Sequence, residues 1–388
     1  MLRVLVFCCC FIFCLRCKNE TFPSIDIQNK EPFSWNKKEA CKIAFNYDGQ
    51  SVEMPGKIKY RGGHSAQYKK NSYSLELEKK YKFFDLPKED DWILNASYID
   101  KTFMRHKISY DLFREMHPDN IAARSTYLDL SINGEYHGLY LLTEEINGKR
   151  VGLNKKDTLA MLFKDPPFLY KEKITPQEPD NYYQQKFPKI HKLDQSPYLE
   201  KFRDFLFNSS DEKFANQIDS WIDLDNIMDW HLLLLFSNNG DGIMKNFYLF
   251  KRDAQTPFRV AIWDYDHSFG RDGDNEINMM ERPLKWKRSI LLVRLLESDA
   301  LEYKNGLKRR WKELRGNGLF SLQNIEMKMN KIDQTIRKTV VRNFEKWPVK
   351  SYWYYDANDY EKEKEIIKSF VKLRLTQLDK EFDYNSEN

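Results

Sequence analysis

At 388 residues the chain can bury a substantial core, and its length suits two lobes better than one small domain. Hydrophobic residues at 41%, charged residues at 31% and aromatics at 15% exclude a long disordered or fibrous chain and fit a globular protein. The net charge of +5, from 63 basic and 58 acidic residues, calls for no nucleic-acid partner and describes a surface of mixed sign.

Residues 1–17, MLRVLVFCCCFIFCLRC, read as a signal peptide. Arg3 supplies a positive start, and the apolar run at 4–15 is short for a bilayer span. Cys17, followed by Lys18-Asn19-Glu20, resembles the lipid-attachment site of a bacterial lipoprotein. Export to the cell envelope or surface follows, with a lipid at Cys17, plain secretion, or a retained anchor as the three forms it takes. Five of the six cysteines lie in this leader, so no internal disulfide is expected. Cys41 reads as a buried strand residue.

Residues 18–40 are polar and carry Pro23 and Pro32, which suggests a tether. From 41 to 147 the pattern is mainly strand, with candidates at 41–47, 57–60, 72–78, 126–132 and 136–143. The last two flank Asn133-Gly134, a strong hairpin signal. A helix at 101–116, capped by Asp100, places Ile108, Leu112 and Met116 on one face. This half reads as a small antiparallel sheet with one packed helix. Residues 148–197 are proline-rich and read as an irregular connection. From 198 to 388 the chain is mainly helical, with helices at 198–207, 211–221, 225–237, 289–296, 301–314, 321–345 and 359–382.

The most informative stretch is 224–270. An apolar helix runs into a polar loop holding Asp241, and four residues separate Asp241 from Asn246. Strands at 247–250 and 258–264 follow, joined by a turn at Gln255-Thr256-Pro257, and the second ends on Asp264 and Asp266. Phosphoryl transfer to a hydroxyl needs such a set: a carboxylate for the acceptor proton, and amide and carboxylate oxygens to hold Mg²⁺. Asp241 is the candidate base, Asn246 and Asp264 the candidate metal ligands. Asp266 is a further ligand or a support for the first, on the same face if the strand continues. The bland alternatives are an Asn-Asn-Gly-Asp-Gly turn for Asp241, a strand cap for Asn246 and a turn cap for the two carboxylates. Carboxylates two apart on a strand do not straddle a glycosidic bond, which argues against a sugar hydrolase. No two histidines have the spacing of a zinc site, and His231 reads as a packed helix residue.

Several further motifs occur in order with this stretch: Arg61-Gly62-Gly63-His64-Ser65, Lys69-Lys70-Asn71-Ser72-Tyr73-Ser74-Leu75-Glu76-Leu77, Asp100-Lys101-Thr102-Phe103-Met104-Arg105 and Gly138-Leu139-Tyr140-Leu141-Leu142-Thr143-Glu144. Together they resemble the CotH family, the spore coat protein H-like atypical kinases. That resemblance implies an α+β fold, a divergent protein-kinase-like arrangement of two lobes. The N-terminal lobe is antiparallel and β-rich; the C-terminal lobe is mainly helical. It implies ATP with Mg²⁺, or Mn²⁺ in its place, and a hydroxyl-bearing acceptor such as a protein Ser or Thr.

It also implies Arg61 in a phosphate-covering loop, Lys70 or else Lys69 on the phosphates, and backbone near 142–145 at the adenine with Glu144 on the ribose or merely at the strand's end. Arg105 matches the family and is expected to organise the pocket. The competing reading is a cell-surface binding or adhesion protein that kept this fold and lost the reaction.

Overall fold

The computed structural model describes residues 22–167, 169, 179–271, 280–281, 283–348 and 358–385. The leader, with Cys17, lies outside them. In chain order the elements are strands β1 (Ser24–Gln28), β2 (Glu39–Tyr47), β3 (Gln50–Arg61), β4 (Ser72–Lys82) and β5 (Lys88–Asn95), then helix α1 (Arg105–Met116). Strands β6 (Ser125–Ile132), β7 (Glu135–Glu144), β8 (Met161–Lys164) and β9 (Gln185–Phe187) follow. Helices α2 (Ser196–Asn208), α3 (Asp211–Gln217) and α4 (Leu224–Ser237) lead to β10 (Phe247–Lys251) and β11 (Arg259–Ile262). The chain closes with α5 (Ile290–Glu297), α6 (Tyr303–Gly316), α7 (Leu322–Lys346) and α8 (Tyr360–Glu381).

The α+β class and the β-rich first half are as expected, but the sheet is not a small open one. Seven strands close a barrel in the order β1-β2-β3-β4-β5-β7-β6, and β6 returns to pair with β1 in parallel. The closing strand comes from the stretch read as a tether. Ile25 and Ile27 point inward and are fully buried, whereas Asp26 faces out and accepts a hydrogen bond from Gly134 N–H. Two apolar residues in a five-residue strand leave almost no periodic signal in a polar segment. Closing the barrel removes two exposed sheet edges at once.

Alternation along β7 sorts two cores. Tyr140 and Leu142 face the barrel interior with Ile43, Ile58, Leu75, Trp92, Leu94 and Leu128. Leu139 and Leu141 face outward, into a second core shared with Ile108, Leu112 and Phe113 of α1 and with α4, β10 and β11. Helix α1 is thus sandwiched between barrel and helices, with the apolar face its spacing indicated. Gly56 marks a close approach: a Cβ there would collide with Ile43 Cδ1 and lie 2.7 Å from the Glu76 carbonyl oxygen. Asn133 and Gly134 adopt φ of 53° and 81°, the left-handed pair that a tight β6–β7 turn demands. Cys41 is a free, half-buried thiol in β2.

The connection at 148–197 is not wholly irregular. It contributes β8 and β9 to a second sheet of order β11-β10-β8-β9. Every β10 and β11 residue is buried. Helix α1 begins at Arg105 rather than 101, because Phe103 has φ 61° and breaks the first turn. Asp100 still serves that end, accepting from Arg105 N–H at 2.9 Å. No helix among the described residues is long and apolar enough to cross a membrane.

Candidate functional site

Helix α4 ends at Asn238, whose φ of 54° turns the chain sharply and delivers Asn239 and Asp241 to the next loop. Asn239 is fully buried; its Oδ1 accepts from Gly242 N–H at 2.9 Å and shapes the short 3₁₀ turn Asp241–Ile243. Lys245 Nζ lies 3.0 Å from Asp241 Oδ2. Burial alone would lower the Lys245 ammonium, but Asp241, Asp264 and Asp165 outweigh it and hold the group above its ordinary value.

Asn246 sits at φ 66°, immediately before β10. Its Nδ2 donates to the Asp264 carbonyl oxygen at 3.1 Å. A carbonyl only accepts, so the amide group is oriented with Oδ1 turned away from this bond. Asp264 stands two residues past β11 and has φ 57°, so the strand ends at Ile262 instead of running to 264. The expected shared strand face for Asp264 and Asp266 therefore does not exist. A turn brings the pair together instead: ligand atoms of Asp264, Asp266 and His106 all lie within 4.8 Å of one another. Desolvation first and the Asp266 charge second push the Asp264 carboxyl above the usual range.

His106 and Tyr110, one turn apart on α1, hold this segment. Tyr110 Oη accepts from Asp264 N–H at 3.0 Å, and His106 Nδ1 accepts from Tyr265 N–H at 2.9 Å. Asn95 Oδ1 accepts from Ser97 N–H, so the Asn95 amide nitrogen, 3.3 Å away, faces His106 Nε2. That atom faces Asp264 Oδ1 at 3.7 Å. His106 Nε2 thus sits between the Asn95 amide and the Asp264 carboxylate, in the group of three side chains that could hold an ion. The carboxylate oxygens of Asp264 and Asp266 suit a hard cation such as Mg²⁺ or Mn²⁺. His106→Phe keeps the ring stack on Tyr110 but leaves the Tyr265 N–H buried without an acceptor. We expect a loss of about 1–3 kcal/mol in denaturant unfolding, together with weaker Mn²⁺ binding. Unchanged Mn²⁺ affinity would remove its supporting role.

The other sequence candidates divide. Arg61 reaches the site from the end of β3, its guanidinium 5.4 Å from the centre of the Trp263 ring and Nη1 3.5 Å from Glu145 Oε1. Lys70 does not join it. It is buried, with Nζ donating to the Ala96 carbonyl at 2.8 Å and to the Leu139 carbonyl, and it lies 4.4 Å from the centre of the Tyr140 ring. Burial lowers this ammonium well below its ordinary value, with Asp129 opposing. Lys69 is exposed.

Glu144 is also buried: Oε2 accepts from Arg124 N–H at 2.7 Å and from Arg150 Nε at 3.0 Å, so it ties strand end to loop and is not open to a ribose. His231 is a packed residue as expected, 3.2 Å from Tyr303 Oη, and burial pushes it down to about 4.

Sequence reading missed Lys164 and Asp165 at the end of β8. Asp165 Oδ1 accepts from Phe247 N–H at 3.1 Å, beside Asn246, and burial raises its carboxyl. It also missed the partners of Arg105, whose Nη1 bonds Asp100 Oδ1 at 2.6 Å, Nη2 bonds Glu363 Oε2 at 3.1 Å and Nε bonds the Ser268 carbonyl at 2.9 Å. Arg105 thereby pins the chain two residues beyond Asp266, in line with the organising role expected of it.

The helix–loop–hairpin thus carries Asp264 and Asp266 in one group with His106, Asn246 bonded to the Asp264 carbonyl, and Asp241 paired with Lys245. The chain belongs to the CotH kinase protein family, whose model matches residues 58–378. It is 25% identical over 339 residues to inner spore coat protein H of Bacillus subtilis (strain 168), an alignment covering 83% of this chain and 85% of the relative. Among solved structures it is similar to the Golgi casein kinase, with a TM-score of 0.29 and 10% identity over 94% of this chain and 74% of that one. The same kinase with Mn/ADP bound gives 0.28 and 10% over 92% and 72%. Values this low transfer neither fold nor site.

Proposed function

We propose that the protein is a two-lobed, kinase-like enzyme that transfers the γ-phosphate of ATP to a hydroxyl, with a protein Ser or Thr as acceptor. Family membership supports the kinase class. The observation that supports the residue assignment is the meeting of Asp264 and Asp266 ligand atoms within 4.8 Å, with Asn246 Nδ2 bonded to the Asp264 carbonyl beside them. Mg²⁺ or Mn²⁺ held there would neutralise charge on the phosphate oxygens. Asp241 takes the proton of the attacking hydroxyl, and Lys245 orients it. Arg61 adds a cation over the phosphates. The segment at 1–17 directs the protein out of the cytoplasm, to be held by a lipid at Cys17 or secreted.

The test is transfer of label from γ-labelled ATP with Mg²⁺ by the purified protein. Asp241→Ala is expected to lower transfer by about 10²–10⁴-fold, the usual worth of a positioned base, with an unchanged melting curve. Equal transfer by the variant would remove Asp241 from the chemistry. No transfer by the native protein to any protein acceptor, with no thermal shift by ATP and Mn²⁺, would favour a binding protein on the same fold.

A further inference from the structure

The second sheet presents a set of side chains that the scheme above leaves unused. In β8, Leu162 and Lys164 share one face, and Lys164 lies directly opposite Tyr248 of β10. Tyr248 in turn lies opposite Ala261 of β11, so Lys164, Tyr248, Ala261 and the following Trp263 look out on the same side. Trp263 stands edge-on to Tyr248, with ring centres 6.3 Å apart. Arg61 arrives from the barrel over the Trp263 ring and also acts on the Tyr248 hydroxyl. A lysine and an arginine from different halves of the chain are thus aimed at one small area, next to Asp264.

Their partners differ. Arg61 has Glu145 at 3.5 Å. The Lys164 ammonium makes no hydrogen bond or ion pair with any described residue. Lys70, Lys245 and Lys251, by contrast, all have oxygen partners. Withdrawal from water pushes Lys164 below the ordinary lysine value; Asp165 opposes this and Arg61 adds to it. Two cations placed side by side, one of them without a partner among the described residues, are unfavourable in the free protein. An anion of high charge density relieves both costs, and one that also reaches the cation position at Asp264 must be extended.

We propose that Lys164, with Arg61, is the phosphate-binding cation pair of this protein, and that its ligand is the polyphosphate chain of a nucleotide bridging these cations and the Asn246–Asp264–Asp266 position. The identity of the nucleotide rests on the functional reading above; the polyphosphate site does not. The role expected of Lys70 or Lys69 passes to a lysine more than ninety residues later in the chain.

The experiment is calorimetric titration of the full chain with Mg²⁺ and either ATP or inorganic tripolyphosphate, for the native protein, Lys164→Met and Lys164→Arg. A charge-assisted hydrogen bond lost to phosphate corresponds to roughly ten- to a hundredfold weaker binding. Lys164→Met is expected to weaken both ligands by that factor, and Lys164→Arg to restore most of it. The unliganded Lys164→Met protein should melt no lower than the native one, because an unpaired cation has been removed; a purely structural lysine would lower it.

Affinity within twofold of native for both ligands in Lys164→Met would overturn the proposal, as would a native protein that binds no tripolyphosphate. Native binding of tripolyphosphate with no preference for ATP over it would support Lys164 while sinking the nucleotide reading.

Discussion

Asp264→Asn is expected to lower phosphate transfer by roughly a thousandfold or more, without making the protein easier to melt. The loss follows from what Asp264 holds. It is held by three contacts, two of them from α1: Tyr110 Oη on its N–H at 3.0 Å, Asn246 Nδ2 on its carbonyl at 3.1 Å and His106 Nε2 facing its carboxylate at 3.7 Å. Removing its charge leaves Asp266 and an amide oxygen, too little to hold a hard divalent cation against phosphate. Several kcal/mol of charge stabilisation then vanish, and about 4 kcal/mol is already a thousandfold.

The stability side has the opposite sign. The folded-state pKa of Asp264 is raised, so the ionised form disfavours folding; that penalty grows as pH rises from the ordinary carboxylate value through the raised one. Asparagine removes it. By the same sign, Mn²⁺ affinity of the native protein should fall as the pH drops through the raised pKa. The measurements are initial rates, Mn²⁺ titration and thermal melts. A variant that still transfers phosphate within tenfold of native would contradict the assignment. The contrast with Asp241→Ala is diagnostic, because loss of the base should spare Mn²⁺ binding.

Arg105→Met is expected to cost about 3–5 kcal/mol of unfolding free energy. Arg105, Asp100 and Glu363 are all fully buried, so removing the guanidinium leaves Asp100 with hydrogen bonds from Thr102 and the residue 105 N–H but no cation, and Glu363 with Asn358 Nδ2 at 3.3 Å and Arg271 Nη1 at 3.5 Å. Lysine does not substitute, since one ammonium cannot reach Asp100, Glu363 and the Ser268 carbonyl in three directions as the planar fork does. Replacing the whole group by Asp100→Leu, Arg105→Met and Glu363→Leu should recover part of the loss, because no buried charge is then left alone. Urea denaturation of the single and triple variants checks both statements. A single-variant loss under about 1 kcal/mol would mean that the network is already relieved by water.

The legible and illegible residues separate by how their contacts are made. Asp241, Asn246, Asp264 and Asp266 lie within one helix–loop–hairpin, and the hairpin's own register carries Asn246 to the backbone of Asp264. Lys70 shows the limit of such reading. Its place before β4 suggested a lysine aimed at phosphate, yet barrel closure turned it into the space between Ala96 and Leu139. No local pattern distinguishes the two outcomes, because a lysine at a strand start has the same neighbours in sequence either way. His106 and Tyr110 read only as members of a helix; their contacts are with residues about 150 positions later. Lys164 lay in a stretch whose prolines masked a four-residue strand.

By itself the sequence determined the α+β class, the family, the helical second half, the Asn133-Gly134 hairpin and the order of the acidic and amide groups, since each depends on short-range periodicity, turn chemistry or motif. Only the tertiary structure decided that the first sheet is a closed barrel, that α1 grips the Asp264 segment, and which lysine faces the site. Those outcomes depend on pairings between segments far apart in the chain, where packing of whole faces and the cost of burying unpaired charge, not local propensity, select the arrangement.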